Sequence, residues 1–74
     1  MPSKYPTCTP EEVCRVLKTA GFSLTKQKGS HAKFTNGTKI VIVPMHHKDL
    51  KVGTLKSILE QADISVELLI EYLK

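Results

Sequence analysis

Apolar residues recur at helical spacing soon after residue 8, and the residues before them are suited to starting a helix. Thr9 can act as the N-cap, Pro10 fits the first helical position, and Glu12 can complete a capping box. The apolar stripe that follows is formed by Val13, Val16, Leu17 and Ala20. The pattern predicts a first helix that ends at Gly21, a residue type common at helix C-termini.

Three strands are predicted after this helix. The first, residues 22–28, alternates apolar and polar side chains and is interrupted by Gly29-Ser30. The second covers residues 31–35, and the third covers the β-branched residues 38–43. Between these two, Asn36-Gly37 is a strong signal for a two-residue hairpin loop.

Two further helices complete the chain. Gly53-Thr54 introduces the second helix, whose apolar stripe is formed by Leu55, Ile58, Leu59 and Ala62. Ser65 can cap a short third helix that carries Val66, Leu69, Ile70 and Leu73. We expect residues 1–8 to be a flexible N-terminal tail and residues 1–74 to form a single domain.

The order α-β-β-β-α, with a short C-terminal helical extension, predicts an α+β fold. Each main helix has one apolar stripe to bury, so the economical packing is a three-stranded antiparallel sheet with both helices on one face. Side chains alternate along a strand. If Ala32 and Phe34 face the helices, then His31, Lys33 and Thr35 face away from them.

The hairpin signal also predicts which residues pair across the sheet. A two-residue loop at Asn36-Gly37 sets His31 opposite Ile42 and Lys33 opposite Ile40. The two isoleucines would then form an apolar floor beside the polar groups.

Basic residues are concentrated in the middle of the chain. From Arg15 to Lys56 there are nine Lys or Arg residues and one acidic residue, Asp49, whereas residues 57–73 hold four acidic residues and no basic one. A clustered basic surface favours a polyanion such as nucleic acid, and the alternative is a solvated lysine-rich surface. Because 74 residues allow only a thin core, chemistry on a surface groove is favoured over a deep pocket.

Cysteine usage and hydropathy indicate a cytoplasmic protein. Cys8 and Cys14 could form a disulfide, but without a signal-peptide pattern a reduced interior is the expected environment. Cys14 is expected on the first helix. No apolar run approaches the roughly 20 residues that span a bilayer, so we expect a soluble protein with no membrane partner.

His31 is the strongest candidate for chemistry, because it opens a predicted strand in a basic setting. Histidine exchanges protons near neutral pH. Metal-free RNA cleavage needs a base for the 2′-hydroxyl, an acid for the departing 5′-oxygen and positive charge near the phosphorus. The identity of the general acid stays open, and the candidates are His46, a lysine and water. The alternative to a catalytic role is that His31 is an ordinary surface histidine.

The expected RNA contacts surround His31 or lie near the second helix. Backbone N–H groups of a glycine turn and of a helix N-terminus attract phosphate, although an ordinary helix cap explains the second feature equally well. The residues expected to bind RNA are Lys26, Lys28, Gly29, Ser30, Lys33, His46, Lys48, Lys51 and Lys56.

Adjacent His46 and His47 raise the alternative of a zinc site that His31 might join. Structural zinc usually takes four Cys or His ligands in paired spacings, and the two cysteines lie far away without such a pattern. We therefore expect no metal and no cofactor.

Three blocks of sequence, in this order and spacing, resemble the HicA family. They are residues 27–34 (QKGSHAKF), 43–46 (VPMH) and 49–62 (DLKVGTLKSILEQA). The helix that runs into Ala20-Gly21-Phe22 is also similar. The resemblance covers about residues 12–62, and residues 64–69 resemble an extension found in some members.

This resemblance implies the toxin of a type II toxin–antitoxin pair. The implied fold is similar to a double-stranded-RNA-binding domain, and the implied activity is metal-independent cleavage of mRNA and tmRNA by an endoribonuclease. His31 corresponds to the essential histidine. The implied partner is a HicB-type antitoxin, which covers that histidine and often carries a DNA-binding domain.

Two other functions stay open from the residues alone. A non-catalytic module could hold RNA through its basic face, in which case changing His31 to alanine would leave its action intact. A protein-interaction domain could instead use Ile40 and Ile42 as a partner site, and salt would then barely affect RNA affinity. His47 and the N-terminal tail receive no role.

Overall fold

A computed structural model of the chain describes residues 5–45 and 48–74. The element order confirms the predicted α-β-β-β-α arrangement with a C-terminal helical extension. The elements are α1 Pro10–Thr19, β1 Ser23–Lys28, β2 His31–Thr35, β3 Ile40–Pro44, α2 Val52–Ala62 and α3 Val66–Leu73. None of the helices among the described residues is both long enough and apolar enough to cross a membrane.

Helix α1 begins with the predicted capping box. The Thr9 side chain accepts a hydrogen bond from the Glu12 backbone N–H at 3.2 Å, and the Glu12 carboxylate accepts one from the Thr9 N–H at 2.9 Å. Pro10 occupies the first helical position. Two N–H groups that the helix itself leaves without partners are thereby satisfied, which fixes where α1 starts.

The other two helices also follow the sequence pattern. All four residues of the predicted α2 stripe are buried: Leu55, Ile58, Leu59 and Ala62. At the start of α3, the Ser65 hydroxyl accepts a hydrogen bond from the Leu68 N–H at 3.1 Å, as expected for an N-cap.

The helices cover one face of an antiparallel sheet with the strand order β1-β2-β3. Four strand side chains on the covered face are buried: Ala32, Phe34, Val41 and Val43. They pack into one core with the stripes of α1 and α2, while α3 contacts α1. The prediction of both main helices on one side of the sheet is confirmed.

The predicted strand pairing between β2 and β3 is wrong by two residues. His31 lies opposite Pro44 and Lys33 opposite Ile42, rather than opposite Ile42 and Ile40. The connecting loop has four residues, and the predicted third strand loses Thr38 and Lys39 to it. The observed register places Val41 opposite Phe34. The two-residue loop would have put a lysine there, on the face that must be apolar.

Side-chain hydrogen bonds stabilise this longer loop. The Asn36 side-chain oxygen accepts bonds from the backbone N–H groups of Thr38 at 3.0 Å and Lys39 at 2.8 Å. The Thr35 hydroxyl donates to the Lys39 carbonyl at 2.8 Å. Asparagine commonly bonds the backbone of following residues in this way, so Asn36-Gly37 marks the turn correctly but not its length.

Of the predicted tail of residues 1–8, residues 1–4 lie outside the described residues, and the described part contacts the core through Tyr5 and Cys8. Cys8 is fully buried in the core, and its carbonyl accepts a hydrogen bond from the Leu50 N–H at 2.8 Å. Tyr5 packs against the same core. The expectation of a flexible tail is therefore wrong at Cys8, because this apolar thiol and its backbone bond tie the segment to the loop before α2.

Candidate functional site

The face of the sheet away from the helices brings together His31 and three lysines. We call this surface the open face; it consists of Ser23, Lys26, Lys28, His31, Lys33, Thr35, Ile40, Ile42 and Pro44, by strand register. Strand pairing sets most of these residues side by side across the sheet. Lys28, His31 and Pro44 are one set of cross-strand neighbours, and Lys26, Lys33 and Ile42 are the next.

His31 is exposed at the start of β2, directly after the turn that joins β1 to β2. Lys28 pairs with His31, so the turn contains only Gly29 and Ser30. Gly29 has a φ of 58°, a conformation that glycine adopts without strain and that the first position of a type II′ turn requires. This turn sets where the imidazole lies relative to β1.

A backbone hydrogen bond connects this turn to the loop after β3. The Ser30 carbonyl accepts from the Met45 N–H, which lies just before His46 in the chain. His46 and His47 themselves lie outside the described residues, so the expected RNA contact by His46 has no placement.

The lysines of the open face repel one another. Lys26 and Lys33 are direct cross-strand partners, and like charges in that position destabilise a sheet. Neither these two nor Lys28 forms an ion pair within the part of the chain that the structure describes. A bound anion would relieve this repulsion, so the arrangement favours a polyanion.

A β-bulge keeps two of these lysines on the open face. Between Leu24 and Lys26 the register shifts, which makes Thr25 an extra residue in β1. The Thr25 hydroxyl donates a hydrogen bond to the Lys33 carbonyl at 3.1 Å. Simple alternation through Thr25 would turn Lys26 and Lys28 towards the helices, whereas the bulge restores them to the side of His31. The alternating pattern of residues 22–28 contains no signal for this bulge.

Strand β3 contributes aliphatic side chains to the same face. We call Ile40, Ile42 and Pro44 the aliphatic row; Ile40 is 55% exposed and Ile42 38%. The Ile42 N–H donates to the Gln61 side chain at 3.2 Å, and the Gln61 amide in turn donates to Ser57 at 3.3 Å. Helix α2 thus covers the outer edge of β3 at Ile42, while the side chain stays exposed on the open face.

The remaining lysines predicted to bind RNA lie in or next to the helix layer. Lys51 is the N-cap of α2 and makes no side-chain capping bond. Lys56 borders a cleft of about 480 Å³ beside α3, together with Glu60 and Asp63. Lys48 is exposed in the loop before α2.

The predicted RNA-binding lysines therefore fall into two groups. The structure brings Lys26, Lys28 and Lys33 together with His31 on one sheet face, whereas Lys56 has acidic neighbours.

A second cleft, of about 320 Å³, lies on the helix side of the sheet between α1 and β1. Cys14 lines it, and its thiol donates to the Met45 sulfur at 3.6 Å. Burial raises the pKa of the Cys14 thiol, against an opposing effect of Lys18. Both Cys8 and Cys14 are free thiols. Because a raised pKa disfavours the thiolate, Cys14 is a poor candidate for a nucleophile.

Metal ligands do not cluster among the residues that the structure describes: no three His, Cys, Asp or Glu side chains there are placed to share an ion. The zinc alternative depends on His46 and His47, which lie outside those residues.

The family model described as the HicA toxin of bacterial toxin–antitoxin matches residues 10–64, about three quarters of the chain. The chain belongs to the HicA toxin family. Family membership implies an antitoxin partner, and His31 and the open-face lysines lie within the matched HicA region. No curated protein matches the chain at a significant level.

Proposed function

We propose that this HicA-family protein is a metal-independent endoribonuclease that cleaves single-stranded mRNA, with His31 as its catalytic residue. The observation that carries the proposal is the cross-strand grouping of His31 with Lys28, next to the Lys26–Lys33 pair, on the exposed side of the sheet. A proton-transfer group beside lysines that can attract phosphate supports this assignment.

His31 acts as the general base in this mechanism. Its imidazole takes the proton of the ribose 2′-hydroxyl, whose oxygen attacks the adjacent phosphorus. The bond from phosphorus to the 5′-oxygen breaks, leaving a 2′,3′-cyclic phosphate on one product and a 5′-hydroxyl on the other. The departing 5′-oxygen receives its proton from a second donor, for which His46, a lysine and water are the candidates.

The lysines bind the RNA backbone and stabilise the charge that develops on the phosphorus oxygens. Lys26, Lys28 and Lys33 serve at the cut site, with the backbone N–H groups of Gly29 and Ser30 beside them. Lys48, Lys51 and Lys56 would contact phosphates farther along the RNA. Electrostatic attraction of a phosphate is weakest at Lys56, because Glu60 and Asp63 border the same cleft.

The antitoxin partner is proposed to be a HicB-type protein that covers His31. A partner that covers the open face blocks both the base and the phosphate-binding lysines, which is sufficient to stop cleavage. Co-expression of a HicB-type protein should relieve growth arrest, and the purified complex should not cut RNA. Cleavage by the intact complex would show that the inhibitor acts elsewhere.

The reaction is tested with an RNA that has a single cleavage position, incubated in EDTA. Cleavage is expected to continue in the chelator and to fail when the nucleotide 5′ to the cut carries a 2′-deoxyribose. Cutting of the deoxy-substituted RNA would indicate attack by water, and loss of activity in EDTA that zinc restores would indicate a metal site. Binding without any cleavage would leave the non-catalytic RNA-binding module as the function.

A further inference from the structure

The aliphatic row of the open face has no part in the proposed chemistry, yet it lies beside the residues that perform it. Ile42 is the direct cross-strand partner of Lys33, and Pro44 is the partner of His31. Ile40 and Ile42 are two of the large hydrophobic side chains that the fold leaves exposed. Exposed apolar side chains in a row next to a charged surface are typical of a binding site.

We infer that the aliphatic row is a nucleobase site, which holds the base of a nucleotide whose phosphate lies over Lys33 and His31. This inference rests on the proposed function and adds a subsite to it. The ligand must be anionic at one end and apolar at the other. A nucleotide has both properties, because its phosphate and the flat apolar surface of its base are joined by one ribose.

The spacing of the strands fits this ligand. Neighbouring strands lie about 4.8 Å apart, so a phosphate over β2 and a base over β3 are separated by one strand spacing. The Gln61 bond to the Ile42 backbone fixes β3 from the far side. The ligand is therefore placed on the face of β3 and not along its edge.

The lack of polar groups in the side chains of the aliphatic row also predicts that it cannot distinguish bases. Aliphatic side chains have no hydrogen-bond donors or acceptors, and base identity is read mainly through such groups. The site should therefore require that a base is present without distinguishing one pyrimidine from another. An acidic protein segment is the competing occupant, and it would not depend on a nucleobase.

Binding is measured with two RNA-like oligomers of equal length and charge, both 2′-O-methylated so that they resist cleavage by 2′-hydroxyl attack. One carries uridine at every position, and the other is abasic throughout. We expect the protein to bind the uridine oligomer more tightly, and Ile42→Thr to weaken that binding about fivefold while leaving the abasic affinity unchanged. Threonine keeps the β-branched shape that suits a strand.

Ile70→Thr is the matched control, because Ile70 is 40% exposed on α3 and Ile42 is 38% exposed on β3. The control should bind both oligomers as the unchanged protein does, and a cytidine oligomer should behave like the uridine oligomer. Equal affinity for the uridine and abasic oligomers would overturn the nucleobase site, as would an Ile42→Thr effect of the same size on both.

Failure of this site and failure of the proposed function give different results. Cleavage of RNA by a protein that binds the abasic and uridine oligomers equally would remove the base site and leave the ribonuclease intact. Base-dependent binding without cleavage would remove the ribonuclease and leave the base site intact. If neither oligomer binds at all, both proposals are wrong.

Discussion

The two faces of the three-stranded sheet share one backbone but carry opposite kinds of side chain. On β2, Ala32 and Phe34 are buried against the helices, while His31 between the turn and Ala32 is exposed. Side chains on a strand alternate with a period of two. Core residues and open-face residues are therefore direct neighbours in sequence, yet they lie in separate environments.

The difference between the two faces makes strand register decisive in this small protein. A shift of one residue exchanges the two faces, and the bulge at Thr25 prevents such an exchange on β1. It also predicts that stability and activity can be changed separately by substitutions on opposite faces.

The largest effect on stability is expected from the covered face. Phe34 is among the largest side chains that are fully buried. Phe34→Ala should lower the free energy of unfolding by about 3–5 kcal/mol, a large part of the roughly 5–15 kcal/mol typical of a domain. Urea unfolding monitored by circular dichroism measures this. A change below about 1 kcal/mol would show that Phe34 is not central to the core.

The open face should respond in the opposite direction. Lys33→Gln removes one member of the like-charged pair with Lys26, so the free energy of unfolding should rise by about 0.2–1 kcal/mol. RNA affinity should fall, and its dependence on log salt should weaken by about 0.7 if Lys33 contacts one phosphate of a single strand.

Lys18→Gln is the control for this charge change. Lys18 is exposed on α1 and borders the cleft on the helix side of the sheet. It should leave the salt dependence of RNA binding unchanged. Equal slopes for the unchanged protein and Lys33→Gln would argue against a phosphate at Lys33.

A smaller effect concerns the thiols of the core. Burial, with a further contribution from Glu12, raises the pKa of Cys8 from its ordinary value of 9.0. The unfolded chain therefore releases the thiol proton at a lower pH than the folded chain does. Stability should be constant with respect to this group below about pH 9 and should fall as the pH rises beyond it.

Cys8→Ala should flatten this part of the pH dependence, although it lowers stability at every pH because it leaves a gap in the core. A thiol reagent at pH 8 should label the half-buried Cys14 before the fully buried Cys8. Faster labelling of Cys8 would show that the N-terminal segment detaches readily.

Local signals predicted most of the fold. The capping box at Thr9, the apolar stripe of α2 and the Ser65 cap act within a few residues, so the sequence pattern alone identified them. Which side of β2 carries His31 also followed from alternation, and the error of two residues in the register preserved it.

What the pattern missed depends on contacts between distant residues. The β2–β3 loop length is set by the need to bring Val41, and not a lysine, against Phe34. The bulge at Thr25 and the Gln61 bond to Ile42 depend on neighbouring elements. Cys8 looked like part of a tail because the proline-rich sequence around it has no periodicity, whereas its side chain joins the core and its carbonyl bonds to the loop at Leu50.

Cleavage and folding measured together for His31→Ala test the role of the open face most directly. Because His31 is exposed, the variant should keep its free energy of unfolding within about 0.5 kcal/mol, while the cleavage rate in EDTA falls by about 10²–10⁴. The unchanged protein should leave a 2′,3′-cyclic phosphate. Cleavage by the folded variant at the original rate would show that the open face is not a histidine-dependent ribonuclease site.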